Sequence, residues 1–171
     1  GFFLIIELLD RTLRDKIRAE RLTKSKLLGA FPGKPRLKYR SYQNAYNLIA
    51  TKYLSSSILR YFVSKSPNKP YIVNFLSNDS GEGKTYIARI LEAYWLQLGL
   101  KVRRLNWSED FDINSSKYLL SNSITDIYNQ TNEDIVIVEY PNLESNNVPT
   151  KLLQEANINL LILSADRAWR N

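Results

Sequence analysis

The segment from Tyr71 to Leu98 constrains this chain more than any other. Tyr71-Ile72-Val73-Asn74-Phe75-Leu76-Ser77 is rich in β-branched and aromatic side chains, the signature of a buried strand. A glycine-containing loop follows at once. Residues 84–98 then place Ile87, Ile90, Leu91, Tyr94, Trp95 and Leu98 on one face at i, i+3, i+4, i+7, i+8 and i+11, which predicts an amphipathic helix stopped by Gly99. A strand, a tight loop and a helix in that order form the first half of a βαβ crossover, and such crossovers place ligands at the carboxyl ends of the strands.

The connecting loop reads Asn78-Asp79-Ser80-Gly81-Glu82-Gly83-Lys84-Thr85. Small residues here let successive backbone N–H groups turn inward on an anion, and the start of the following helix adds positive potential. This is the context of a phosphate-binding loop of the form G-x-x-x-x-G-K-[ST]. Asp79, Ser80, Gly81, Glu82, Gly83, Lys84, Thr85 and Tyr86 are therefore the expected nucleotide-binding residues, for ATP or ADP. Lys84 is expected to pair with the β- and γ-phosphates and Thr85 to ligate Mg2+. Asn78 stands at the first glycine position, and its tolerance of left-handed backbone would let the loop survive. At the end of the next apolar run, Ile135-Val136-Ile137-Val138, Glu139 occupies the place of the acidic residue that holds Mg2+ directly or through water. Lys84 and Glu139 are the candidates for catalysis. A solvated strand-terminal glutamate is the simpler alternative for Glu139.

The remaining pattern agrees with a sheet flanked by helices. Residues 41–62 carry apolar side chains at mostly helical spacing with no Gly or Pro, and 148–156 suggests a short helix. Residues 101–107 and Leu160-Leu161-Ile162-Leu163 read as further strands, with Arg103-Arg104 making the former a poor central one. Leu28–Pro35 reads as a loop or short edge strand. The expected fold is α/β of the P-loop NTPase kind, with a mostly parallel sheet and no internal repeat.

The chain has 171 residues, enough for one domain and a leader. With no cysteine and no histidine, disulfides, thiolate zinc sites and imidazole chemistry are excluded, so any reaction must run on carboxylates, lysine, hydroxyls and bound cations. The net charge of +7 is lopsided: residues 11–40 hold eleven Lys/Arg against Asp15 and Glu20, whereas from residue 41 onward thirteen basic side chains face thirteen acidic ones. A neutral body argues against nucleic acid as a partner.

The basic block follows Phe2-Phe3-Leu4-Ile5-Ile6-Glu7-Leu8-Leu9, a placement that fits the cytoplasmic face of a membrane. Eight residues are too few for a span, which needs about 20. Because the chain opens inside this stretch without Met, the expectation is an excised piece whose preceding residues complete a transmembrane helix. The alternative is an amphipathic helix packing Phe3, Ile6, Leu9 and Leu13 on the domain. On either reading residues 1–40 are a leader with an N-terminal juxtamembrane helix and 41–171 are the nucleotide-binding domain, truncated at its C-terminus. An anionic lipid surface is the expected partner of 11–40.

Taken together, SNDSGEGKT, DIVIVEYPNL and LLQEANINLLILSADRAWR, with ELLDRTLRDK and KLLGAFP before them, resemble the cytoplasmic domain of the bacterial tyrosine kinase and polysaccharide copolymerase family. The resemblance covers nearly the whole chain. It implies an oligomeric inner-membrane protein that self-associates, works with the polysaccharide polymerase and export machinery, sets capsule or exopolysaccharide chain length, and phosphorylates tyrosines in a partner's tail. This chain departs from the family pattern. Active members carry an Asp-x-Asp signature at the position of Asn106-Trp107-Ser108, and both carboxylates are missing here. The loss favours a binding or regulatory domain with degenerate catalysis over a competent kinase. The 41–62 helix offers Tyr42, Asn44, Tyr46 and Asn47 in place of the family's Glu and Arg contacts. An active tyrosine autokinase and a partition-type ATPase are the rival readings.

Overall fold

Ile135–Glu139 is buried at all five positions and Ile158–Ser164 at six of its seven. Strands with no exposed face must lie inside a sheet covered on both sides. The computed structural model describes residues 3–9, 26–32, 40–62, 68–79 and 83–164, and in it these two strands belong to a six-stranded sheet. The strands are β1 (Phe3–Leu9), β2 (Lys26–Pro32), β3 (Tyr71–Leu76), β4 (Val102–Asn106), β5 (Ile135–Glu139) and β6 (Ile158–Ser164), in the spatial order β2-β1-β6-β3-β5-β4. β6, β3, β5 and β4 are mutually parallel, and β1 runs antiparallel to both β6 and β2. The sheet is thus mostly parallel, as its βαβ pattern requires. β4, with its two arginines, lies at one edge and β2 at the other.

Helices α1 (Arg40–Leu59) and α2 (Lys84–Gln97) cover one face. Leu54 and Ile58 of α1 and Ile87, Ala88, Leu91 and Trp95 of α2 pack there on Val73, Phe75, Ile135, Ile137, Leu160 and Ile162. The alternate residues Ile72, Val136, Val138, Leu161 and Leu163 face the opposite layer, built from α3 (Ser116–Leu119), a 3-10 turn at Ile124–Asp126 and α4 (Thr150–Glu155). This alternation across the strands is the period-two pattern of a doubly covered sheet. The face expected for α2 is borne out at its centre, with Ile90 and Tyr94 half-buried at its margins and Leu98 exposed. Gly99 ends the helix at φ +90°, and the N–H groups of Leu98, Gly99 and Leu100 cap the carbonyls of Tyr94, Leu96 and Trp95.

Trp95 fastens α2 to α1. Its ring is fully buried and its indole N–H donates to Ser55 Oγ at 2.8 Å. Removing that acceptor strands a buried donor, so Ser55→Ala is expected to lower stability by about 1–2 kcal/mol. Urea denaturation read by circular dichroism checks this.

The first segment is corrected by the structure. Phe3–Leu9, expected at the start of a helix, is an interior strand: Leu4 and Ile6 enter the core beneath α1 and α2, and Leu9 enters the opposite core. The run Leu4-Ile5-Ile6 satisfies a doubly buried strand as well as it satisfies a helix, and only the neighbours of β1 decide between them. The amphipathic packing expected of Leu13 and the rest of 10–25 lies outside the described residues, as does the C-terminal stretch 165–171. Among the described residues no helix is long and apolar enough to cross a membrane.

Candidate phosphate-binding site

β3 and β5 are neighbours in register, with Phe75 opposite Glu139, so the residues that follow each strand emerge side by side. Backbone bonds keep them together beyond the sheet: Tyr140 N–H donates to the Phe75 carbonyl at 3.1 Å, Leu143 N–H to that of Ser77 at 2.8 Å, and Glu144 N–H to that of Asn78 at 3.1 Å. The segment after β5 thereby braces the entrance to the loop after β3. Asn78 is absent from the positive-φ positions, where Asn68 is the one non-glycine residue among those described, so its left-handed tolerance is not used.

Gly83 holds the N-cap of α2 at φ +87° and ψ 15°, with no side-chain cap. The first-turn amides of α2 therefore lack a capping oxygen from the residue that normally supplies one, the condition in which a helix start receives an anion. A Cβ at Gly83 would lie 2.8 Å from Leu4 Cδ1, so β1 reaches the end of the loop. Gly83→Ala combines left-handed strain with this contact, and a loss of about 2 kcal/mol is expected. Adding Leu4→Ala should return part of the loss relative to Leu4→Ala alone, as a double-mutant denaturation cycle would show.

Lys84 and Thr85 stand on the first turn of α2. Lys84 Nζ donates to Ser77 Oγ at 2.7 Å, which folds the ammonium back toward the end of β3. Thr85 Oγ1 donates to Glu139 Oε1 at 2.6 Å, joining two residues 54 positions apart. The structure thus brings Lys84, Thr85 and Glu139 to one place at the carboxyl edge of the sheet. Tyr86 divides: its backbone lies in the first turn, but its hydroxyl accepts from Asn47 Nδ2 at 3.1 Å and its ring meets Phe31 edge-on. Its side chain belongs to the contact between α1 and α2. Asp79 follows Asn78, half-buried, whereas Ser80, Gly81 and Glu82 lie outside the described residues.

Glu139 is fully buried and well supplied with donors. Besides Thr85, its Oε1 accepts from Asn106 Nδ2 at 3.1 Å, and its Oε2 accepts from Arg104 Nη1 at 2.7 Å. Asn106 sits opposite Glu139 in the β4/β5 register, and Arg104 lies two residues earlier on the same face of β4. Arg104 also donates through Nε to Glu92 Oε1 of α2 at 3.2 Å. Burial alone lowers the Arg104 pKa, but its hydrogen bonds and charge interactions with Glu139 and Glu92 more than offset that, and the net shift is upward. The guanidinium is a fixed charge. The Glu139–Arg104 pair is what sequence reasoning missed: Arg103-Arg104 signalled an edge strand, but the shared face of Arg104 and Asn106 also pointed at whatever acid ends the neighbouring strand.

The donor set is poor for a protein-held Mg2+. The Thr85 hydroxyl, as a donor, keeps its oxygen lone pairs, but the Glu139 carboxylate has both oxygens engaged, one by Thr85 and Asn106 and the other by Arg104, which neutralises its charge. The position facing Glu139 on β4 carries the neutral amide of Asn106. No cluster of three acidic, histidine or cysteine side chains with metal-binding spacing occurs among the described residues.

Comparison with known proteins finds no matching family model, no matching curated protein and no matching solved structure.

Proposed function

We propose that this chain is a nucleotide-binding domain of the P-loop kind, serving as the cytoplasmic ATP-binding part of an inner-membrane polysaccharide copolymerase with degenerate catalysis. One observation carries the nucleotide part. Thr85, next to Lys84 on the first turn of a helix whose N-cap is Gly83, meets the acid at the end of the neighbouring parallel strand through a 2.6 Å hydrogen bond. In P-loop sites such a hydroxyl and acid stand together, there around the Mg2+ that accompanies a bound polyphosphate. The copolymerase part rests on the likeness of SNDSGEGKT, DIVIVEYPNL and the flanking segments to that family.

The degenerate character follows from chemistry. Phosphoryl transfer needs charge neutralisation on the phosphates and a base for the incoming hydroxyl. Asn106 offers neither an anionic metal ligand nor a base, and Glu139 is engaged by three donors. On this reading ATP or ADP is bound as a signal, and its occupancy is passed to the assembly. With Phe3–Leu9 in the sheet, the basic residues that follow would meet anionic lipid as the connection between β1 and β2. Their starting point, Leu9, pairs with Asn159 at the edge of the sheet opposite the phosphate site.

Incubation with γ-labelled ATP, Mg2+ and a tyrosine-bearing peptide, alongside a binding titration, tests the proposal. Saturable binding with label transfer near background is expected. Robust transfer to tyrosine would favour an active autokinase, and tight salt-sensitive DNA binding would favour a partition-type ATPase.

A further inference from the structure

We infer that Arg104 takes the place beside Glu139 that a divalent metal ion would need, so that polyphosphate binds here without requiring one. The inference rests on the nucleotide reading above and adds the ionic requirement of the site.

In a site that recruits Mg2+, the acid at the end of the neighbouring strand must present a free oxygen edge and uncompensated negative charge. Mg2+ also demands near-ideal octahedral oxygen coordination and gives up its water reluctantly. Glu139 offers neither condition. Its Oε2 is taken by Arg104 at 2.7 Å, and its Oε1 receives both Thr85 and Asn106. A divalent ion brought to this carboxylate would sit within a few ångströms of a guanidinium, and like charges at that distance repel strongly in a partly buried site.

Arg104 is poorly placed to step aside. Its side chain is 19% exposed, and it is anchored at two points, through Nη1 to Glu139 on β5 and through Nε to Glu92 on α2. Two acids on different elements hold one fork-shaped cation, an arrangement that suits guanidinium and not a hydrated metal. With two carboxylates on one guanidinium, Arg104 satisfies Glu139 and leaves no surplus positive charge. The positive potential that a polyphosphate meets comes from Lys84 and the first turn of α2.

Calorimetric titration of the whole chain with ADP, in MgCl2 and in EDTA, provides the test. The two dissociation constants are expected to agree within about threefold. Binding at least about tenfold tighter with Mg2+ overturns the inference while leaving the phosphate site intact. No heat in either condition, from protein whose fold is verified by circular dichroism, overturns both. As an independent readout, the nucleotide-free protein is titrated against Mn2+ and followed by paramagnetic resonance. No saturable site is expected in the native chain, and one is expected in a folded Arg104→Gln variant, whose ADP binding then becomes Mg2+-dependent. A saturable Mn2+ site in the native chain overturns the inference, and so does a folded variant that stays indifferent to both ions. If the variant does not fold, the native-chain titrations decide alone.

Discussion

Arg104→Ala is expected to destabilise the fold by about 3 kcal/mol, at the lower end of what breaking a buried ion pair costs because the arginine itself is partly exposed. The loss does not come mainly from the missing contact. It comes from Glu139, which stays fully buried with its carboxylate charge and keeps only Thr85 and Asn106 as donors. The double variant Arg104→Ala/Glu139→Gln removes the stranded charge as well, and its stability should return to within about 1.5 kcal/mol of the native chain. Urea denaturation of the native protein, both single variants and the double variant gives the full cycle. Equal loss in the single and double variants would mean that the arginine acts through packing of its stem and not through charge.

Lys84→Ala is expected to weaken ATP and ADP binding by about 10- to 100-fold, the value of one or two charge-assisted hydrogen bonds to phosphate. The fold should tolerate the change, with stability altered by no more than about 1 kcal/mol, because the side chain is only half-buried. Binding and stability therefore separate at Lys84. They are expected to separate, in the opposite sense, at Ser55, whose hydroxyl on α1 accepts from Trp95 of α2. A titration of Lys84→Ala and Ser55→Ala side by side distinguishes loss of a ligand contact from general loosening.

Much of the sheet and the meeting of Lys84 and Thr85 with Glu139 were legible in the sequence, because local and global signals agree there. β3 and α2 have strong, unambiguous periodicity and a loop of defined chemistry between them, and Gly99 marks a helix end that the structure confirms at positive φ. The edge position of β4 followed from two adjacent arginines, which a doubly buried strand could not accommodate. β2 falls at the opposite edge within a segment whose Gly and Pro already limited it to a loop or edge strand.

The first strand was not legible, for a physical reason. An apolar run beside a basic one has the same one-dimensional pattern whether it leaves a membrane or enters a sheet. The choice depends on β6, more than 150 residues later, whose edge is completed by pairing Leu4 with Ser164 and Leu9 with Asn159. The charge pair was illegible in part for a similar reason. Arg104 and Glu139 are 35 residues apart, and only the register that sets Asn106 opposite Glu139 makes them neighbours. Glu139 could be placed from its strand alone, but its partner could not.

In the proposed function, Lys84 and the first turn of α2 grip the β-phosphate of a nucleotide. Comparing ADP with AMP in equilibrium titrations against the native chain tests it most directly, since the two ligands differ by that one phosphate. ADP is predicted to bind at least about tenfold more tightly, the value of one charge-assisted hydrogen bond, with that preference lost in Lys84→Ala. Equal affinities for ADP and AMP, or no binding of either to the folded protein, would contradict it.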